Sequence, residues 1–384
     1  MIRKLLTGAA VAAAVVATAV SPAAAAPPAK PPANLATAVA DSVLARAGKS
    51  ATAPLVTTTR EAGGWAFGTA VVPTGHGKDD HPDGWLFVAE RAGGQWRVAL
   101  EGEASFAELT GRAPVVAAEE RGRLAELDGR PETKAGNDFR TGMALPYAVG
   151  QSWYMYGGPH GWAGTPTPWS SLDLAGGDQR VLAARAGTAY TMCTGWLRVI
   201  HDRGYSTDYY HLWNNIWVDG AAVSQGTFLG NTGTDVTCGG SANGRHVHFA
   251  LRQNSAYVGI ADHGIGKWVP QNGGAAYQGS ALHGSTRVGA GGTLYNYGAL
   301  GFTQGVIDSN GGGAVNKRSG PGTGYGVVGS VADGTTVSVS CSANGTSHTG
   351  RWGTTSLWNR LTDGTWVTDA FMWTGVNGAV NGTC

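Results

Sequence analysis

Apolar residues in this chain follow two rhythms, and the change from one to the other divides it. Leu35, Val39, Val43 and Leu44 recur at helical spacing and predict a helix over 34–47. Alternating and aromatic runs at 64–72, 84–90 and 95–100 read as strands, the last two joined by a turn at Ala92-Gly93-Gly94, and a second helix fits 115–127. That is the pattern of a small α+β unit. From about residue 145 to 283 the helical period is gone. Short aromatic strands at 152–156, 188–192, 196–201, 207–212 and 246–252 are broken by glycine, which predicts an antiparallel β-sheet domain. The stretch 284–292, rich in glycine and small residues, reads as a linker, and 293–384 as short strands again. The expected fold class is multidomain and mainly β.

Composition sharpens these boundaries. Every glutamate lies at or before Glu132, whereas all four cysteines and eleven of the fourteen tryptophans come after it. The polar run 128–137 between the two regions has the make-up of a flexible, cleavable linker. At the start, Arg3 and Lys4 precede an apolar stretch over 5–20 and small residues at 23–26, which reads as a secretory signal peptide over 1–26. No other segment is long and apolar enough to span a bilayer, so a secreted, extracellular protein with no membrane attachment after signal removal is expected. With 27 basic and 26 acidic residues and no basic block, nucleic acid is not an expected partner. The even cysteine count in an exported chain makes disulfides the default. Of the three possible pairings, Cys193 with Cys238 and Cys341 with Cys384 is favoured because each stays inside one segment.

Candidate chemistry gathers in the middle segment. On a strand, His246, His248 and Ala250 share one face while Val247, Phe249 and Leu251 take the other. Two imidazoles on neighbouring rungs can reach one metal ion, can divide metal binding from proton transfer, or can simply hydrogen-bond on a half-exposed strand. His160, flanked by glycines, and Asp173, bracketed by leucines thirteen residues on, suit a nitrogen and an oxygen ligand, although Asp173 could equally cap a turn. His76 and His81 fall in a polar loop over 74–84 that reads as a solvated hairpin. His201, His263, His283 and His348 have no patterned neighbours and read as loop or strand-end residues.

Four motifs, Gly157-Gly158-Pro159-His160, Ser170-Ser171-Leu172-Asp173, Tyr209-Tyr210-His211-Leu212 and His246-Val247-His248-Phe249, stand in the order and approximate spacing of the lysostaphin-type zinc metalloendopeptidases. The middle segment resembles that family over roughly 145–283, and its LasA-like, β-lytic branch most closely. The run from Val315 through Gly329 and on to Val339 resembles the bacterial SH3-like modules that bind cell walls, and Trp352 and Asp363-Gly364-Thr365-Trp366-Val367 match the later part of that pattern more loosely.

These resemblances imply a signal peptide (1–26), a pro-domain with linker (27–138), a zinc peptidase domain (139–283), a linker (284–292) and a small SH3-like β-barrel (293–384). They imply one Zn2+ per chain held by His160, Asp173 and His248, with His211 and His246 as catalytic histidines that are not ligands. A tyrosine often assists in such families, and Tyr210 and Tyr277 are the candidates, each of which could equally be a packing aromatic. Trp162, Trp169, Trp213 and Trp217 could line a peptide groove or belong to the core, and 231–240 could form a groove wall.

Chemistry favours the same division among the histidines. Three protein ligands leave the fourth tetrahedral position for a water that zinc acidifies to a pKa of about 7. With no glutamate after Glu132 and no His-Glu-x-x-His, proton transfer must fall to histidine or aspartate. The expected function is a monomeric secreted endopeptidase cutting glycine- or alanine-type cross-links of peptidoglycan, made as a latent precursor and held to the wall by its C-terminal domain. A non-catalytic wall-binding adaptor with a peptidase-like domain is the alternative, and a protein that only senses or sequesters metal is a third. Any of His76, Asp79, Asp80 and Asn137 could cap the zinc in a precursor.

Overall fold

The structure is a computed structural model and describes residues 34–48, 52–128 and 138–384. The expected signal peptide and the connection 129–137 lie outside the described residues, and no helix among the latter is long and apolar enough to cross a membrane.

The N-terminal unit is a four-stranded antiparallel sheet, Leu55–Ala62, Trp65–Val72, Asp83–Ala92 and Gln95–Leu100 in sequential order. Glycine pairs with positive φ, Gly63-Gly64 and Gly93-Gly94, make the two tight hairpins, as two-residue turns between twisted strands require. The helix Leu35–Ala47 is capped by the Asn34 side chain and by Gly48 at φ 62°, and it lays Val39 and Val43 against Ala66, Ala70 and Phe87. On the other face lie helices Ala104–Arg112 and Ala118–Ala125. The first of these was not expected, although Phe106, Leu109 and Ala113, all buried, carry the helical spacing.

Eight strands form the central path: Asp219–Val223, Gly187–Cys193, Trp196–Ile200, Tyr205–Tyr210, Val247–Gln253, Ser171–Ala175, Ser152–His160 and Thr293–Tyr295, each antiparallel to the next. Ala256–Tyr257 adds a ninth beside Val247–Gln253. Val247, Phe249 and Leu251 enter one core with Leu172, Leu174, Leu197 and Tyr209. On the other side, Tyr190, Met192, Trp196, Ile200, Tyr210 and Ala250 pack with Phe67, Val71, Leu86 and Val88 of the N-terminal unit. The N-terminal unit therefore sits on the histidine face of the sheet.

The expected linker 284–292 is corrected. Its residues Thr286–Gly289 form a strand against Ser280–His283, and Thr293–Tyr295 closes an edge of the large sheet, because small residues pair in a ladder as well as they fill a loop. The C-terminal region then forms a seven-stranded antiparallel sheet around Ile307, Val315, Val339, Leu361, Val367 and Met372. Both favoured disulfides are present, Cys193–Cys238 and Cys341–Cys384.

Candidate metal centre

Register brings the ligand candidates together. His248 lies opposite Asp173 on one neighbouring strand and opposite Tyr210 on the other. His160 ends the next strand, paired with Ser171. Gly157 faces Asp173, where a Cβ would lie 2.8 Å from the carboxylate and 3.1 Å from the Tyr277 ring, so the backbone there must be glycine for the site to close.

His160 Nε2, His248 Nδ1 and Asp173 Oδ1 stand 3.2, 3.0 and 3.3 Å from one another. Three donors on one tetrahedral zinc, each about 2.0–2.2 Å from the ion, lie roughly 3.3 Å apart. The donor set and its spacing thus fit zinc. His160 Nδ1 donates to the Gly158 carbonyl at 2.7 Å, which fixes the ring and leaves Nε2 as the site-facing lone pair. His248 Nε2, the ring nitrogen outside this triangle, is buried with no hydrogen-bond partner among the described residues. Burial holds the His248 imidazole down to about 3, so it is neutral and able to ligate at ordinary pH. Burial works against the Asp173 carboxylate, but the neighbouring imidazoles His160 and His246 outweigh it and hold Asp173 well below the usual range.

Two further imidazoles flank this triangle. His211 follows the strand end at φ 68°, and its Nδ1 donates to the Asp235 carbonyl at 2.9 Å, within the 231–240 stretch that the Cys193–Cys238 bridge ties down. Burial lowers it to about 3. His246 Nδ1 donates to the Gly244 carbonyl at 2.9 Å, while Nε2 sits 3.4 Å from Asp173 Oδ1. The two rings are 4.9 Å apart.

The tyrosines differ. Tyr210 donates its hydroxyl to the Gly239 carbonyl at 2.7 Å and stacks its ring on His211, so its phenol is committed to the scaffold. Tyr277 stacks on His160 at 4.0 Å and lines a cavity of about 330 Å³ that also touches Tyr156, Asp173, His211, His246 and His248. Of the tryptophans, Trp162 is buried against His248, whereas Trp213 and Trp217 are exposed.

His81 and Lys78 of the N-terminal unit line this same cavity: residues 75–80 are exposed, as a solvated hairpin requires, but His81, Pro82 and Gly84 are buried, which corrects that reading at the far end of the loop. The loop is stapled into the groove by Thr74 N–H to Cys238 O, Gly240 N–H to Gly75 O, Thr165 N–H to Asp79 and Trp162 Nε1 to Pro82 O. His81 is 5% exposed, its ring 5.2 Å from that of His248, and burial lowers it to about 3. Its polar sequence gave no sign of this, because burial came from the opposing domain. His81, His211 and His248 each bring a ring nitrogen within 4.8 Å of the others, a second grouping with metal-ligand spacing.

Together these residues define a β-sheet protein with a buried His/Asp cluster at metal-ligand spacing beside two backbone-anchored histidines. The sequence profile of Peptidase family M23 matches residues 167–260, which contain Asp173, His211, His246 and His248, with His160 just ahead. Beta-lytic metalloendopeptidase of Lysobacter enzymogenes is 35% identical over 127 residues, 30% of this chain and 71% of that one. The chain belongs to peptidase family M23. Protease LasA of Pseudomonas aeruginosa is 34% identical over 137 residues, 33% of this chain, so the match spans about a third (32%) of LasA's own length. Among solved structures, the deep-sea M23 metalloprotease pseudoalterin is similar at 31% identity, covering 40% of this chain and 97% of that one with a TM-score of 0.38.

Proposed function

We propose that this chain is a secreted zinc-dependent endopeptidase that hydrolyses peptide bonds in glycine- or alanine-type cross-links of bacterial peptidoglycan and is made as a latent precursor. The observation that carries the reading is the triangle of His160 Nε2, Asp173 Oδ1 and His248 Nδ1, with His211 and His246 beside it. The names of the M23 relatives, a protease and a metalloendopeptidase, support the reaction class. In this reading His160, Asp173 and His248 hold one zinc. When bound, zinc supplies Lewis acidity, polarising the scissile carbonyl and lowering the pKa of water to about 7. His211 and His246, each with Nδ1–H spent on a backbone carbonyl, present Nε2 to accept the proton of the attacking water and return it to the leaving amine. Tyr277, on the cavity wall, is the phenol in reach to steady the oxyanion.

Latency is supported by the loop 74–83 lying in the groove, and export by the leader-like start and the two disulfides. The C-terminal unit holds the enzyme to the wall. His248→Ala is expected to lose zinc and activity together, and His246→Ala to keep zinc while turnover falls about 10²–10⁴-fold. Zinc content by atomic absorption beside lysis of purified walls reads both. Loss of zinc in His246→Ala refutes the ligand assignment, and mass spectrometry of fragments from defined peptidoglycans identifies the bond cut.

A further inference from the structure

Four residues of the N-terminal unit run along the aromatic floor that leads away from the metal centre. His81 lies against His248, the Pro82 carbonyl accepts from Trp162 Nε1 at 2.9 Å, and the Gly84 carbonyl accepts from Arg198 Nη1 at 3.1 Å. Gly84 rests on the Trp196 ring so closely that a Cβ would come within 2.6 Å of it. Past this segment, Glu101, fully buried, receives Arg198 Nη1 on one oxygen and Arg252 Nη1 on the other, each at 2.8 Å.

The guanidinium groups belong to the sheet, and the carboxylate does not. Arg198 keeps a bidentate partner there, Asp208, directly across the strand pair. Asp208 is already full, since Trp196 Nε1 and the Tyr257 hydroxyl also donate to it. It therefore cannot serve Arg252, whose Nε lies 3.9 Å away without a hydrogen bond. Glu101 is thus the carboxylate that pairs with Arg252 Nη1, and it shares Arg198 Nη1 with the Gly84 carbonyl, so both groups are satisfied from the N-terminal unit. Asp208 holds Arg198 in place, so with the N-terminal unit lifted the two Nη1 groups converge on the position Glu101 leaves, a two-point charge-assisted site that selects a carboxylate.

We infer that Arg198 and Arg252 form a carboxylate-binding subsite for the substrate, which Glu101 fills in the precursor. The inference rests on the latent-precursor reading and adds a substrate class to it: a peptide carrying a carboxylate. Arg252 is four residues along the strand from His248, about 13 Å, which an extended peptide spans in roughly four residues. The Arg198 Nη1 and Trp162 Nε1 donors are placed to meet the carbonyls of that peptide, as they meet those of Gly84 and Pro82.

The test uses the full chain nicked by limited proteolysis within 129–137, kept metal-free with chelator so that nothing turns over. Fluorescein-labelled pentaglycine ending in glutamate amide or in glutamine amide is the probe, read by anisotropy. The nicked wild type is expected to bind the glutamate probe about tenfold tighter, the scale of one charge-assisted hydrogen bond, and the intact chain to bind neither. Arg252→Gln is expected to erase the difference and Arg252→Lys to keep part of it. Equal binding by the nicked wild type overturns the subsite alone, and needs no variant to fold. A preference that survives Arg252→Gln also overturns it. Nicked chain that binds neither probe and lyses walls no faster than intact chain overturns the latent-precursor reading, and the subsite with it.

Discussion

The N-terminal unit meets the histidine face of the sheet through a buried ion-pair cluster set in an apolar surface, Glu101 with Arg198 and Arg252, and through a half-buried pair, Arg60 with Asp219. The C-terminal unit meets the same domain through aromatic packing: Phe302 lies under Arg140, Arg185 and Arg203, and Trp373 packs with Val269 and Leu282. Each unit also holds a carboxylate shielded from water, Glu101 fully buried and Asp369 half-buried, and the two differ. Burial would raise Glu101, but Arg198 and Arg252 outweigh it and hold it below the usual glutamate range. Asp369, with only the Asn359 amide at 2.8 Å, is raised by burial to about 6. Buried ion pairs define one docking register yet return little net stability once desolvation is counted, whereas apolar packing has no such penalty. The N-terminal joint combines an apolar core with a charge cluster whose desolvation cost offsets part of what that core contributes, a combination that fits the cover proposed above.

The sharpest break in this comparison is removal of the cover. Nicking within 129–137 is expected to raise wall lysis at least about tenfold, because the fraction of chains with an open groove scales the apparent activity. On the proposed wall-binding role of the C-terminal unit, disrupting that unit should lower lysis of walls while leaving hydrolysis of soluble peptides as it was. Equal lysis before and after nicking removes the distinction between the two units.

Next in size is Glu101→Gln in the intact chain. It leaves Arg252 without its carboxylate, a loss of about 3–5 kcal/mol for a broken buried pair. Faster proteolysis of 52–128, with the C-terminal sheet still protected, is the expected readout. Since the folded Glu101 titrates below its ordinary value, the docking it supports is complete above that value and fades only as pH falls through the lowered one.

Asp369→Asn probes the opposite sign with a smaller effect. A carboxyl raised from 3.8 to about 6 binds more protons folded than unfolded, so stability falls as pH rises from about 4 to about 6 and stays low above it. The variant should gain up to about 3 kcal/mol at pH 7.5 and nothing below pH 4, measured by denaturant titration. Smallest is Tyr210→Phe, which loses one hydrogen bond to Gly239 worth about 1 kcal/mol and should leave zinc content unchanged.

The histidine face of Val247–Gln253 was legible because alternation on a strand is a local rule, and Val247, Phe249 and Leu251 did bury on the far side. The helix Leu35–Ala47 and three of the four N-terminal strands were legible for the same reason. The strand Leu55–Ala62 was not, since an exposed edge carries mostly polar residues. Nor was the strand Thr286–Gly289, whose small residues match a linker in composition.

By itself, the sequence determined which residue types could do the chemistry: His160, Asp173, His211, His246 and His248 in a region without glutamate, and cysteines in pairs that stay within a segment. Only the tertiary structure decided that Tyr277 lines the cavity while Tyr210 is tied to Gly239, that His81, from a distant and polar-looking loop, lines it too, and that Glu101, just past the last N-terminal strand, is buried on Arg198 and Arg252. The physical reason is that side-chain alternation and ligand chemistry are properties of a few neighbouring residues. Burial at a domain contact depends on a partner surface that no local window contains.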